Sequence, residues 1–141
     1  MTSISVTANA LRLGEQKKHK IVTQVSDNDS TKWNLALNNA KNLQADKSAD
    51  IDTEIVVYGP GIGLLKRFTP DFLKPLLTFE SPFCPRIAEA MTSRVKVFAC
   101  ENSMRGHQLV RDDMVAGIEY LPSGVTEIMK QQGEGWAYLR P

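Results

Sequence analysis

The chain has 141 residues, 42% of them hydrophobic and 23% charged, which predicts a single domain with one sizeable core. Its 17 basic and 16 acidic residues leave a net charge of +1, which excludes the strongly basic surface typical of proteins that bind nucleic acid or anionic lipid. No apolar run approaches the roughly 20 residues of a membrane span, so neither nucleic acid nor a membrane is predicted as a partner.

The N-terminal segment is interpreted separately from the rest. Residues 1–17 show no hydrophobic period and are predicted to form a tail or arm that precedes a single domain over residues 18–141. A basic segment followed by a continuous apolar segment is missing here, so we expect no signal peptide and a cytoplasmic location. In that compartment two cysteines argue against a disulfide framework, and with two scattered histidines they predict no structural zinc site.

Short β-branched runs bounded by turn residues alternate with helical patterns along the chain from residue 19. In the first helical segment apolar residues recur every three or four positions, and Asp29 or Ser30 is the expected N-cap. This alternation predicts a parallel sheet with helices on both faces, and such sheets bind ligands at the carboxyl ends of their strands. The predicted strands span residues 19–25, 53–59, 95–99, 117–122 and 136–140, and the predicted helices span about residues 29–44, 86–93, 103–110 and 124–132.

Two further segments carry expectations of their own. Residues 69–85 hold four prolines among large apolar residues, which predicts a packed, irregular insertion or flap rather than a long helix or a central strand. In the last helix, which Ser123 can cap, Val125, Ile128 and Met129 are expected to face the core.

The glycine-rich stretch "YGPGIGLLK" at residues 58–66 resembles a phosphate-binding loop only superficially. It does not match G-x-x-x-x-G-K-[ST], and it fails G-x-G-x-x-G because Leu64 and Lys66 stand where the third glycine would be required. A tight turn after a strand, where only glycine adopts certain backbone angles, explains the glycines better. A nucleotide-dependent enzyme is therefore disfavoured.

Cys100 directly follows the third predicted strand, at the edge of the sheet where a site is expected. Unpaired N–H groups at a helix N-terminus favour a thiolate, whereas the carboxylate of Glu101 beside it favours the neutral thiol. Free cysteines also pack as small apolar residues, so two interpretations stay open: a reactive thiol or a packed one. His107 could serve as its base only if the chain bends back, and Cys84 could pair with it only if residues 69–85 close over this edge.

Four blocks of the sequence are informative together: "KIVTQVSDNDSTKWNLALNNAKN", "EIVVYGPGIGLL", "VKVFACENSM" and "GIEYLPSGVTEIMKQQGEGWAYLRP". Their order and spacing resemble the DsrE/DsrF-like family, which includes sulfur-relay proteins of the TusD-like and YchN-like kinds. The resemblance covers about residues 19–141 and implies a three-layer α/β/α sandwich around a five-stranded parallel sheet (DsrEFH-like). It also implies a homo-oligomer, such as a trimer or a hexamer.

The same resemblance implies sulfur trafficking, in which a cysteine after a central strand carries sulfane sulfur as a persulfide. The matching position is Cys100, so we expect a sulfurtransferase-like persulfide carrier with sulfur donor and acceptor proteins and with neither a metal nor an organic cofactor. Asn102 and Ser103 are the nearest side-chain donors for an anionic persulfide, and Asn28 and Tyr58 are further pocket candidates at the same edge. The alternative hypothesis is a non-catalytic module with a packed Cys100 that binds a small molecule or a protein.

Overall fold

A computed structural model describes residues 18–70 and 78–141, so the predicted tail over residues 1–17 lies outside the described residues. Within the described ranges the strands are β1 (Lys18–Val25), β2 (Asp50–Val57), β3 (Phe68–Pro70), β4 (Thr78–Glu80), β5 (Val95–Cys100), β6 (Glu119–Leu121) and β7 (Ala137–Leu139). The α-helices there are α1 (Ser30–Ala45), α2 (Cys84–Met91), α3 (Glu101–Gly106) and α4 (Gly124–Gly133), and short 3₁₀ helices span Gly59–Leu65 and Arg111–Asp113.

The predicted five-stranded parallel sheet, flanked by helices, is confirmed. The strands lie in the order β6-β5-β2-β1-β7, and every neighbouring pair runs parallel. The central strand β2 is buried continuously from Thr53 to Val57, as is typical of a parallel strand that is covered on both faces. The carboxyl ends of β1, β2, β5 and β6 therefore meet at one edge of the sheet.

The larger core lies between the sheet and the pair α1 and α2. It joins Ile55 and Val97 of the sheet with Leu37 of α1 and Ile87 of α2. Helix α1 begins where expected, because the Asp29 carboxylate accepts hydrogen bonds from two N–H groups of the first turn.

The smaller core lies on the opposite face, where α4 crosses β1, β2 and β5. There Ile128 packs against Val22 and Val56. The expectation that Val125 and Met129 also face the core is wrong, since they are 59% and 62% exposed. Helix α4 presents a narrow apolar edge to the sheet and turns these two side chains away from it.

The strands β3 and β4 pair antiparallel with each other, outside the main sheet. Residues 71–77 between them lie outside the described residues, so the flap over residues 69–85 stays a prediction. The predicted helix over residues 86–93 instead runs from Cys84 to Met91. Its Pro85 stands in the first turn, where a missing N–H group is tolerated. No helix among the described residues is long and apolar enough to cross a membrane.

Candidate functional site

The loops at the carboxyl edge of the sheet are tied together by backbone hydrogen bonds. The N–H of Tyr58, after β2, donates to the carbonyl of Val25, at the end of β1, at 3.0 Å. The N–H of Asn102, after β5, donates to the carbonyl of Pro122, after β6, at 3.2 Å. Four separate strand ends thus form one ordered surface.

Close packing at this edge explains two of the glycines after β2, Gly59 and Gly61. Gly59 has φ of +57°, a backbone conformation that is strained for residues other than glycine. Its N–H donates to the Ser103 hydroxyl oxygen at 2.7 Å. A Cβ on Gly61 would lie 2.7 Å from the carbonyl oxygen of Val25. These glycines let the β2 loop reach both α3 and β1, which supports the tight-turn interpretation.

Cys100 is both the last residue of β5 and the N-cap of α3, and it is 4% exposed. Helix α3 was expected over residues 103–110 but runs from Glu101 to Gly106, directly after the cysteine. The first N–H groups of a helix have no partner within it, so the early start places those of Asn102 and Ser103 at the sulfur. The thiol itself lies 3.8 Å from the carbonyl oxygen of Pro122, to which it donates.

Burial and hydrogen bonding oppose each other at this thiol. Burial raises the pKa of Cys100, whereas hydrogen bonds from the Ser103 hydroxyl and from the N–H groups of Gly124, Ser103 and Asn102 lower it. The hydrogen bonds prevail, so the pKa lies below its usual value. Gly124 is the first residue of α4, and the thiol therefore lies between the N-termini of two helices.

The carboxylate of Glu101 does not face the thiol as an unpaired like charge. It forms an ion pair with Arg111 at 3.1 Å, and the Arg111 guanidinium lies 4.2 Å from the centroid of the Tyr120 ring. His107 is exposed at the C-terminal end of α3, the opposite end of that helix from Cys100. The arrangement therefore gives no support to a Cys–His pair.

The second cysteine lies in a different environment. Cys84 is 5% exposed and belongs to the larger core, and its thiol donates to the carbonyl of Arg67 at 3.5 Å. Burial, together with the charge of Glu80, raises the pKa of Cys84 above its usual value. Both cysteines are free, so the structure contains no disulfide between them.

Of the other predicted site residues, some lie beside Cys100 and one does not. Ser103 contacts the thiol through its backbone and its hydroxyl, but Asn102 does so only through its N–H, since its side-chain oxygen accepts from Arg105. Tyr58 packs against the start of α4, where a Cβ on Gly124 would lie 3.0 Å from that of the tyrosine. Asn28 is exposed and lies beside Gly63, apart from the donors of the thiol.

Sequence reasoning placed the turn at Pro122 and Ser123 at this edge of the sheet, but it did not assign the contacts that Pro122 and Gly124 make with the thiol. The available signal was that Ser123 caps a helix at the same edge of the sheet, which places further unpaired N–H groups there. The pairing of this turn with Cys100 depends on which strands are neighbours, and the sequence does not show that order.

Two sizeable cavities lie elsewhere in the described part of the chain. One, of about 340 Å³, lies between α1 and α2, and another, of about 440 Å³, lies near the amino ends of β1, β2 and β5. Cys100 lines neither of them. Among the described residues, no group of three or more His, Cys, Asp or Glu side chains is placed to hold a metal ion.

Comparison with known proteins gives a family match and a structural match. The model of the DsrE/DsrF-like family matches residues 18–141. The solved structure of a protein of unknown function from Methanobacterium thermoautotrophicum has 29% sequence identity and a TM-score of 0.74, and the match covers 87% of this chain and 99% of that one. No curated protein matches the chain significantly.

Proposed function

Because the chain belongs to the DsrE/DsrF-like family, a membership that suggests a role in sulfur relay, we propose that it carries sulfane sulfur as a persulfide on Cys100. The observation that carries this proposal is the set of donors around the thiol. Ser103, Asn102 and Gly124 together lower its pKa despite burial. The thiolate is the nucleophile in exchange at sulfur, so this setting favours reaction at Cys100.

The proposed exchange conserves sulfur, protons and electrons. The Cys100 thiolate attacks the outer sulfur of a donor persulfide, the donor's S–S bond breaks, and the donor leaves as a thiolate. The new Cys100 persulfide then loses its outer sulfur to an acceptor thiolate by the same step in reverse, which restores the starting thiolate. The N–H groups at the starts of α3 and α4 can stabilise the anionic persulfide.

Access to the sulfur requires a local opening, since Cys100 is 4% exposed. Its cover consists of the β6–α4 turn and the first residue of α4, which contact the sulfur through Pro122 and Gly124. We propose that donor and acceptor proteins displace this turn when they bind.

Persulfide loading tests the proposal directly. Reduced protein is incubated with a persulfide donor and examined by intact mass and peptide mapping, with Cys84→Ser and Cys100→Ser run in parallel. Cys84 is a matched control, because it is equally buried but its pKa is raised. We expect an increment of one sulfur in the native protein and in Cys84→Ser, and none in Cys100→Ser. An increment that persists in Cys100→Ser, or no increment in the native protein, contradicts the proposal.

A second candidate function is a non-catalytic binding module with a packed Cys100. It is favoured by the burial of the thiol and by the two cavities that lie away from it. This function predicts that alkylating reagents modify Cys100 only after unfolding. Slow modification of the folded protein, mapped to Cys100 in Cys84→Ser, would rule it out.

Assembly into a homo-oligomer, as a trimer or hexamer, is a further part of the proposal. Exposed apolar side chains on β3, β4 and α4 supply surface for such contacts: Phe68, Phe79, Val125 and Met129. Size-exclusion chromatography with light scattering is expected to give a multiple of the chain mass of 15.7 kDa. A monomer at micromolar concentration would contradict this part alone.

A further inference from the structure

A carboxyl group is buried at the centre of the sheet. Glu54 lies on β2, is 6% exposed, and points to the face that α4 covers. Its Oε1 accepts from the Gln131 side chain at 2.9 Å, whereas its Oε2 is fully buried and has no hydrogen-bond partner among the described residues. An ionised carboxylate with one buried, unpaired oxygen is strongly disfavoured, so this group favours its protonated form.

A second carboxyl group faces it from α4. The Gln131 side-chain N–H groups donate to Glu127 Oε2 at 3.1 Å and to Glu54 Oε1 at 2.9 Å, so the two carboxyl groups lie on the same amide nitrogen. A proton held between the two carboxyl groups would supply the partner that Glu54 Oε2 lacks. Burial, followed by the contact with Glu127, raises the pKa of Glu54 to about 7.

The positive charges nearby do not stabilise the Glu54 carboxylate enough to offset its burial. Lys96 of β5 lowers the pKa of Glu54, but less than burial and Glu127 raise it. Glu54 also lines the cavity of about 440 Å³ near the amino ends of β1, β2 and β5. Lys20 of β1 lines this cavity too, and its ammonium group lies over the Trp136 ring, 5.6 Å from the ring centroid. The remaining charged groups of this cavity, Asp52 and Arg94, form an ion pair with each other.

The carboxyl pair and the cover of Cys100 belong to the same turn of α4. Glu127 lies in the first turn of this helix, which begins at Gly124. The N–H of Gly124 is one of the groups that hold the Cys100 thiol. A change in how Glu127 meets the sheet therefore moves the group that covers the sulfur.

We propose that the Glu54–Glu127 pair holds the start of α4 on the sheet while it carries one proton, and that release of this proton to solvent opens access to Cys100. Two ionised carboxylates held by the same amide nitrogen repel each other, and the helix is the part that can move away. The inference rests on the proposed function in that it names a regulator of the same cysteine. Access to the thiol, however, is measurable without any sulfur transfer.

The test compares alkylation rates in a Cys84→Ser background, where Cys100 is the only cysteine. At each pH the alkylation rate of the protein with Glu54 intact is divided by the rate of Glu54→Gln. The dependence of both rates on the thiolate fraction of Cys100 then cancels. We expect a ratio near one at about pH 6 that rises to roughly tenfold at about pH 8.5, since the deprotonated fraction of a group with a pKa of about 7 grows from about one tenth to nearly one over this range. A ratio that stays constant with pH overturns the proposal.

Two further variants keep the test decisive. Glu127→Gln removes the other carboxylate from a half-buried position, so the rate of this variant divided by that of Glu54→Gln is expected to stay near one at every pH. Glu134→Gln changes an exposed glutamate at the end of α4 and is expected to keep the full rise. A rise that survives in Glu127→Gln would also refute the proposal. A pH-dependent ratio without persulfide loading would reject the carrier function and retain this inference.

Discussion

At the scale of single residues, the two cysteines show how hydrogen bonding decides the state of a buried thiol. Cys84 and Cys100 are 5% and 4% exposed, so burial raises the pKa of both. Cys84 has one backbone N–H contact, from Ser81, and faces the charge of Glu80. Cys100 has three backbone N–H contacts and a hydroxyl, because it lies where a strand meets two helix N-termini. The thiolate is therefore favoured only at Cys100.

The Ser103 hydroxyl is the first of these donors to test. We predict that Ser103→Ala raises the pKa of Cys100 by about one pH unit, because a hydrogen bond to a charged group contributes about 1.5–3 kcal/mol and part is recovered by water. The ultraviolet absorbance of the thiolate, followed against pH in a Cys84→Ser background, measures it.

Asn102→Ala is the matched control for this experiment, since Asn102 contacts the thiol only through its backbone N–H. The pKa of Cys100 in this variant is expected to equal the pKa of Cys100 in the parent protein. Equal pKa values for Ser103→Ala and the parent would show that the hydroxyl does not stabilise the thiolate.

At the scale of elements, the close packing of α4 on the β2 loop fixes the cover of the thiol. A Cβ on Gly124 would lie 3.0–3.2 Å from three atoms of the Tyr58 side chain, whereas one on Gly133, at the other end of α4, would meet nothing within 4 Å. A side chain at position 124, in the first turn of this helix, would therefore clash with Tyr58, whereas one at position 133, in the last turn, would be accommodated.

This difference predicts opposite effects of one substitution at the two ends of α4. Gly124→Ala is expected to lower the free energy of unfolding by about 1–3 kcal/mol through overpacking. Gly133→Ala is expected to leave it unchanged or raise it by up to about 1 kcal/mol, because alanine favours helix. Urea denaturation measures both values. Equal stabilities of the two variants would contradict the packing account.

The element boundaries show where sequence reasoning reached its limit. The caps Asp29 and Ser123 were predictable, because their side chains act on N–H groups only two or three residues away. The start of α3 was not, because its early N–H groups are satisfied by Pro122 and the Cys100 sulfur through tertiary contacts. The exposure of Val125 and Met129 on α4 also depends on tertiary packing. A helical period in the sequence does not show how much of the helix surface the sheet covers.

At the scale of the whole molecule, Glu54 makes stability depend on pH. Its pKa is raised from an ordinary value near 4.5 to about 7, so between these values the folded state binds more protons than the unfolded state. The free energy of unfolding must therefore fall as pH rises through this window. We predict a loss of about 2 kcal/mol between about pH 5 and pH 8.

The loss is measured as the difference between the native protein and Glu54→Gln, because other groups titrate alike in both. Chemical denaturation at several pH values is expected to show the native protein losing stability relative to this variant. A difference that does not change with pH would mean that Glu54 titrates as an ordinary carboxyl group.

The overall fold was predictable, because alternating strand and helix patterns favour one parallel sheet and place Cys100 at its carboxyl edge. The environment of Glu54 was not predictable. In the sequence this residue stands near the start of an apolar strand, and its neighbours Glu127 and Gln131 come from a helix far along the chain. Contacts between distant segments bring the Gly124 N–H group to the thiol and place Glu127 and Gln131 beside Glu54.

Sulfur transfer to an acceptor tests the central claim most directly. Native protein is loaded from a donor whose outer sulfur is isotopically labelled, freed of excess donor, and mixed with a small acceptor thiol. We predict that the label passes to the acceptor at one sulfur per loaded Cys100, that Cys84→Ser behaves alike, and that Cys100→Ser neither takes up nor transfers label. Label that never reaches the acceptor, or that is carried equally well without Cys100, would contradict the role of this chain as a persulfide carrier.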